Sequence, residues 1–208
     1  TLMRNMLGVR DGELMILTAG GDVTSKGAQE ILKALKKVDQ EFKNWKYICK
    51  LWGGQSADDH YNDETALIEE LGDSKNKVIY VEGSMSRDFM PYLLNAADVY
   101  LAPSRLEGFG MLNVEAMAGG TPVISIDAMG PKDTVRHGET GFLARVASTV
   151  DLEEEWATEE MGFAEPIKMR FAEPKTLAYR AHVDDLADYT LRLLTDDKLR
   201  KEMGQRAV

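Results

Sequence analysis

Five short apolar runs, at residues 14–18, 47–52, 78–81, 99–102 and 123–126, recur along the chain with stretches of helical length and polarity between them. This alternation constrains the fold more than any other feature, because strands joined by helical crossovers run parallel in one sheet. Most of the runs are continuously apolar, as strands covered on both faces require, while the run at 47–52 is mixed enough to lie nearer an edge. The expected fold class is therefore α/β: a doubly wound, mostly parallel Rossmann-like sheet with helices on both faces.

Residues 27–42 place Ile31, Leu32, Leu35 and Val38 at helical spacing, and residues 88–97 do the same with Phe89, Tyr92, Leu93 and Ala96. Residues 111–118 are apolar apart from Asn113 and Glu115, which predicts a deeply packed helix stopped by Gly119 and Gly120. Beyond 141–144 the composition turns acidic. There, residues 151–160 put Leu152 and Trp156 on one helical face, so a solvated surface helix is expected. Pro166 and Pro174 bracket a short strand at 167–171, and an amphipathic helix resumes at 183–194. With no linker or repeat in view, residues 1–208 read as a single domain, with a core at about 14–146 and an acidic segment and C-terminal helices at 147–208.

A net charge of −10 argues against nucleic acid or an anionic membrane surface as partner, since both are held by clustered Lys and Arg. No apolar run approaches the ~20 residues of a spanning helix. The lone Cys49 cannot form an internal disulfide, so a cytoplasmic location is expected, with peripheral membrane association of a full-length protein left open. His60, His137 and His182 are scattered without metal-ligand spacing and no Asp-x-Asp occurs, so no metal site is expected. His60, beside Asp58 and Asp59, reads as an exposed loop residue, and His137 as part of a loop near a helix end.

Two segments carry chemistry. In the first, Gly20 and Gly21 follow the first run directly, and Lys26 and Gly27 precede a helix, the way a βα unit presents amides and a cation to phosphate. It matches neither dinucleotide nor P-loop fingerprints, and taken alone it reads equally as an ordinary turn. In the second, Glu107 lies in a turn with Gly108, Phe109 and Gly110, and Glu115 follows in the first turns of the helix that Met111 and Leu112 open. In the strand order 3-2-1-4-5-6 these two loops flank the switch point and face one crevice. An acid in an otherwise apolar helix needs a partner such as a pair of ribose hydroxyls, although a carboxylate near a helix N-terminus is also favoured by the dipole alone. The loop from Asp127 to Pro131 opens at the same edge and is placed to shape a sugar pocket.

Glu107 and Glu115, separated by seven residues, are followed by Ala116-Met-Ala-Gly-Gly-Thr-Pro-Val-Ile124 and preceded by Ala97-Asp98 and Pro103-Ser104. With Gly20 to Gly27, Tyr80-Val-Glu-Gly83 and His137-Gly-Glu-Thr-Gly-Phe-Leu143, this resembles the C-terminal, donor-binding domain of retaining glycosyltransferases of family 4, or group 1, with the GT-B fold. The likeness runs across most of residues 14–146, and the closing helices fit it. It implies catalytic roles for Lys26 and Glu107. Nucleotide and phosphate contacts fall to Gly20, Gly21, Lys26, Gly110, Met111, Leu112 and Glu115, and donor-sugar contacts to Glu107, Gly108, Phe109 and Gly110. Ser84 and Met85 are implied to contact the base, though a plain connecting turn reads as well there.

The donor so implied is a nucleotide-diphosphate sugar, UDP-, GDP- or ADP-linked, and the acceptor a sugar, lipid or other hydroxyl held by an N-terminal domain that this chain lacks. No cofactor is implied, and the chain by itself is expected to be inactive in transfer. The family's phosphate clamp normally has an Arg directly after the first loop's glycine, where this chain has Gly21. Arg105, in the facing loop, is a candidate replacement and equally a surface arginine. The departure at Gly21 keeps open a noncatalytic nucleotide-sugar sensor, beside other two-domain enzymes such as a nucleotide-sugar epimerase; a phosphorylase would carry a pyridoxal-binding lysine motif that is not found.

Overall fold

Six parallel strands form the centre of the molecule, in the order β3-β2-β1-β4-β5-β6. They are β1 (Leu14–Ala19), β2 (Trp45–Lys50), β3 (Val78–Val81), β4 (Val99–Leu101), β5 (Val123–Ile126) and β6 (Gly141–Ala144). The computed structural model describes residues 2–22, 24–51 and 58–208, with the backbone alone for 58–62. The end of the expected 47–52 strand at Trp52 and the side chain of His60 thus lie outside the described residues.

The continuous apolar runs are explained by two cores, one on each face of the sheet. Ile16 points into a cluster with Ile31, Leu35, Tyr47, Ile124 and Leu186, whereas its neighbours Met15 and Leu17 point into another with Ile48, Leu93, Tyr100 and Met117. Successive strand residues face opposite sides, so a strand buried on both must be apolar throughout. Around the sheet lie α1 (Leu2–Met6), α2 (Ala28–Glu41), α3 (Asp58–Glu69), α4 (Met90–Ala96), α5 (Met111–Ala118), α6 (Pro131–Thr134), α7 (Val183–Thr195) and α8 (Asp197–Ala207).

Three expectations are corrected. The acidic segment is not a helix but β7 (Val146–Ala157), paired antiparallel with β8 (Ile167–Ala181) in a separate two-stranded hairpin. Long-range pairing overrides the helical spacing of Leu152 and Trp156, and cross-strand charges such as Glu154 with Lys168 favour it. The expected short strand at 167–171 thereby extends to Ala181, and Pro174 is accommodated where the register shifts between Leu152↔Lys175 and Glu154↔Arg170. Second, α5 is half-exposed: only Asn113, Ala116 and Met117 are buried, and Met111 is 58% exposed. Third, α4 buries Leu93, Leu94 and Ala96 and leaves Phe89 and Tyr92 outside, because the helix begins at Met90 with Pro91 in its first turn.

β7 leaves β6 after one residue, so the hairpin springs from the edge of the sheet at which the strands end. Its base is fastened three ways. The Tyr179 amide donates to the Arg105 carbonyl at 2.7 Å, Arg180 reaches Glu30 at 3.3 Å, and the His182 amide donates to the Arg145 carbonyl at 2.8 Å. Asp185, in the first turn of α7, accepts from the Arg145 guanidinium at 2.7 and 2.8 Å and from the Arg145 amide at 2.9 Å. These bonds pull its carboxyl down to about 2. Asp185 therefore stays charged to lower pH when folded than when unfolded, and its contribution is whole above about pH 4 and lost as the pH falls through 2. Asp185→Asn is expected to lower the thermal midpoint by roughly 3 °C at pH 7, with the difference from wild type closing as the pH approaches 2 in parallel melts.

Candidate functional site

Two loops meet where the strand order reverses. The loop from Gly20 to Gly27 leaves β1, and the loop from Ala102 to Gly110 leaves β4, its neighbour in the sheet. Gly27 caps α2 with φ 86°, and a β-carbon there would lie 2.5 Å from the Pro103 carbonyl oxygen, so only glycine permits this approach. The Arg105 amide donates to the Ser25 carbonyl at 2.8 Å and closes the junction. Beneath the first loop, Thr24 donates to Glu64, which also accepts from the Tyr80 hydroxyl at 3.0 Å. Burial raises the Glu64 carboxyl above its ordinary range against these bonds.

Across the junction Lys26 pairs with Glu107, each side chain less than a fifth exposed. The second Glu107 oxygen accepts from the Gly110 amide at 3.2 Å, so that amide, expected to meet ligand oxygens, is used inside the loop. The amides of Met111 and Leu112 open α5 and have no acceptor within the helix. Behind them the 127–131 loop acts as a prop. Gly130 packs so closely that a β-carbon would come within 2.1 Å of the Gly108 carbonyl, and the Glu107 amide donates to the Met129 sulfur at 3.3 Å. Met129 holds φ 54°, a strained setting for a side chain of its size.

A cavity of about 570 Å³ opens at this junction. Gly20, Gly21 and Lys26 form one wall, Leu112 and Glu115 another, and Met85, Arg87 and Met90 a third. The structure thus brings together five of the residues expected to meet nucleotide and phosphate, with Met85 of the two expected to meet the base. Ser84 is not on the wall, and Glu107, Gly108, Phe109, Gly110 and Met111 lie outside it, with Glu107 reaching the wall only through its pair with Lys26 and Phe109 exposed. A shallower groove of about 400 Å³ adjoins it between α4 and α5 and shares Arg87 and Glu115. Glu115 is exposed, so burial does not demand a partner for it; its carboxylate is instead open to the cavity.

Arg105 is neither a phosphate ligand nor a surface residue. Its guanidinium is buried against Glu30 at 2.9 and 3.2 Å and donates to Gln29 at 2.9 Å. Its length lets it turn back under α2, where it ties the Glu107 loop to the hairpin base through the shared Glu30. His137 is structural as well: its Nδ1 accepts from the Leu143 amide at 3.0 Å and its ring meets Phe142 and Tyr189 edge-on.

Two residues at the site had escaped the sequence reading. Arg87 had no motif to mark it, only a position after the third strand. Lys50 lies inside the second apolar run, at the end of β2, and is fully buried, its ammonium donating to the carbonyls of Leu51, at 2.6 Å, and Gly83. Desolvation lowers its pKa, and its role is to fasten the loop that carries Met85 and Arg87. Cys49, buried beside Tyr47, has its thiol pushed up to about 12 by desolvation and is no nucleophile. Among the described residues no group of three or more His, Cys, Asp or Glu is gathered for a metal, and no helix is long and apolar enough to cross a membrane.

Removal of Arg105 leaves the buried Glu30 charge with only the more exposed Arg180. Arg105→Ala is expected to cost about 3 kcal/mol in urea unfolding while nucleotide affinity stays within twofold in the folded protein.

Comparison with known proteins bears on the family and the fold. Residues 1–158 match the family model described as Glycosyl transferases group 1. An uncharacterized glycosyltransferase of Methanocaldococcus jannaschii is 33% identical over 139 residues, which are 67% of this chain and 34% of that protein. The chain spans about a third of the length of the curated relatives it matches. In solved structures, Anabaena HepE in complex with UDP and glucose superposes with a TM-score of 0.73 at 21% identity, over 99% of this chain and 45% of that one. The C-terminal domain of a group 1 glycosyl transferase family protein (LpcC) from Francisella tularensis gives 0.71 at 17% identity, over 99% and 87%.

Proposed function

The chain belongs to the glycosyl transferases of group 1, and we propose that it is the donor-binding domain of a retaining, metal-independent hexosyltransferase of the cytoplasm. Its donor is a nucleotide-diphosphate sugar. The observation that carries this reading is the cavity itself, in which a glycine loop, a lysine and an unsatisfied helix start converge from two neighbouring strands. In the reaction we infer, nucleoside diphosphate departs from an oxocarbenium-like carbon. The charge that develops on it is met by Lys26 and the Leu112 amide on the cavity wall, with the adjoining Met111 amide beside it, groups already oriented that cost little reorganisation.

Glu107 has two tasks in this scheme. It fixes the Lys26 ammonium beside the cavity, and it presents a carboxylate to the sugar hydroxyls. Glu115 takes the ribose hydroxyls, and Met85 lies against the base. The acceptor hydroxyl belongs to a second domain of a longer protein, so this chain by itself binds nucleotide with negligible transfer. One observation favours a noncatalytic sensor: Gly21 supplies no cation, which weakens leaving-group stabilisation more than ground-state binding.

Calorimetric titration with UDP, GDP and ADP tests the reading. One of the three is expected to bind, Lys26→Ala to weaken it roughly tenfold or more, and the matching nucleoside to be indifferent to that change. In the longer protein, turnover lost in both Lys26→Ala and Glu107→Ala supports transfer, whereas binding without turnover of any donor leaves the sensor.

A further inference from the structure

The charges around the cavity do not suit a diphosphate as they stand. Lys26 is already answered by Glu107, and Glu115 and Asp22 add negative charge on the cavity wall and in the first loop. A nucleoside diphosphate brings at least two more. The remaining cation on the wall is Arg87, and it has no hydrogen-bond or ion-pair acceptor among the described residues.

Its setting suits a ligand. Arg87 lies in the loop between β3 and α4, whose backbone is fixed by the Phe89 amide donating to the Ser86 carbonyl at 3.0 Å and by Lys50 holding the Gly83 carbonyl. It lines both the cavity and the adjoining groove. On another wall of the cavity stands Gly21, where an added β-carbon would meet nothing within 4 Å, so the space beside the first loop is open at that position. A planar guanidinium makes two parallel bonds to phosphate, which a lysine cannot do.

We propose that Arg87 is the second phosphate-binding cation of this site, reaching from the β3–α4 loop into the space that Gly21 leaves open. This rests on the donor-site reading above. It names a residue far in sequence from the first loop as the partner of Lys26, and it makes the leaving diphosphate bridge two separately anchored loops.

The test compares wild type, Arg87→Ala, Arg87→Lys and the double variant Gly21→Arg with Arg87→Ala, each titrated with the preferred nucleoside diphosphate and with its nucleoside. Arg87→Ala is expected to melt as wild type does, to lose roughly tenfold in diphosphate affinity and to keep its nucleoside affinity within twofold. Arg87→Lys recovers part of the loss, and Gly21→Arg in the Arg87→Ala background recovers most of it. Unchanged diphosphate affinity in Arg87→Ala, or an equal loss for diphosphate and nucleoside, overturns the assignment while leaving the donor site intact. Failure of Gly21→Arg to rescue overturns the placement beside Gly21. Wild type that binds no nucleoside diphosphate overturns the donor-site reading and the role of Arg87 with it.

Discussion

Everything functional in this domain depends on the close contact between the loops that leave β1 and β4. A doubly wound sheet guarantees only that these loops start side by side where the strand order reverses. What turns neighbours into one site is the approach of Gly27 to the Pro103 carbonyl and the Lys26–Glu107 pair that spans the gap. The pair is mostly shielded from water, so it is screened less than a surface salt bridge and holds the Lys26 side chain at the cavity. Glu107 then does a third thing by accepting from Gly110, which sets the start of α5. One carboxylate thus aligns a cation, a turn and a helix start.

The same junction reaches outward to the hairpin. Arg105 lies two residues before Glu107, and through Glu30, Arg180 and the Tyr179 amide it ties the Glu107 loop to the base of β8. The hairpin extends past the part of the chain that matches the family model, yet its base touches the most constrained loop in the site. Buried ion pairs of this kind add little net stability over apolar packing, but breaking one partner is costly, so the arrangement fixes geometry more than it adds stability.

The parts of this structure that were legible in the sequence are those set by local pattern. The first five strands, the helices at 28–41 and 183–195 and the facing of the two glycine loops follow from apolar runs and glycine turns, whereas β6 at 141–144 was not read as a strand. What escaped was decided by distant partners. Residues 151–160 count as a helix until β8 supplies a pairing strand, and Arg105 reads as exposed until Glu30 comes under it from α2. The depth of α5 was misjudged for a related reason: an apolar helix that lines a cavity looks, one residue at a time, like one that is buried. Arg87 and Lys50 left no motif because their value lies in where β3 and β2 end relative to the first loop.

The central claim is that a diphosphate bridges the two loops. A crystal structure of this chain with its preferred nucleoside diphosphate measures that directly. The account predicts phosphate oxygens within hydrogen-bonding distance of the Lys26 ammonium and of the Met111 or Leu112 amide at once. A diphosphate seated in the α4–α5 groove, or touching one loop and not the other, would contradict it.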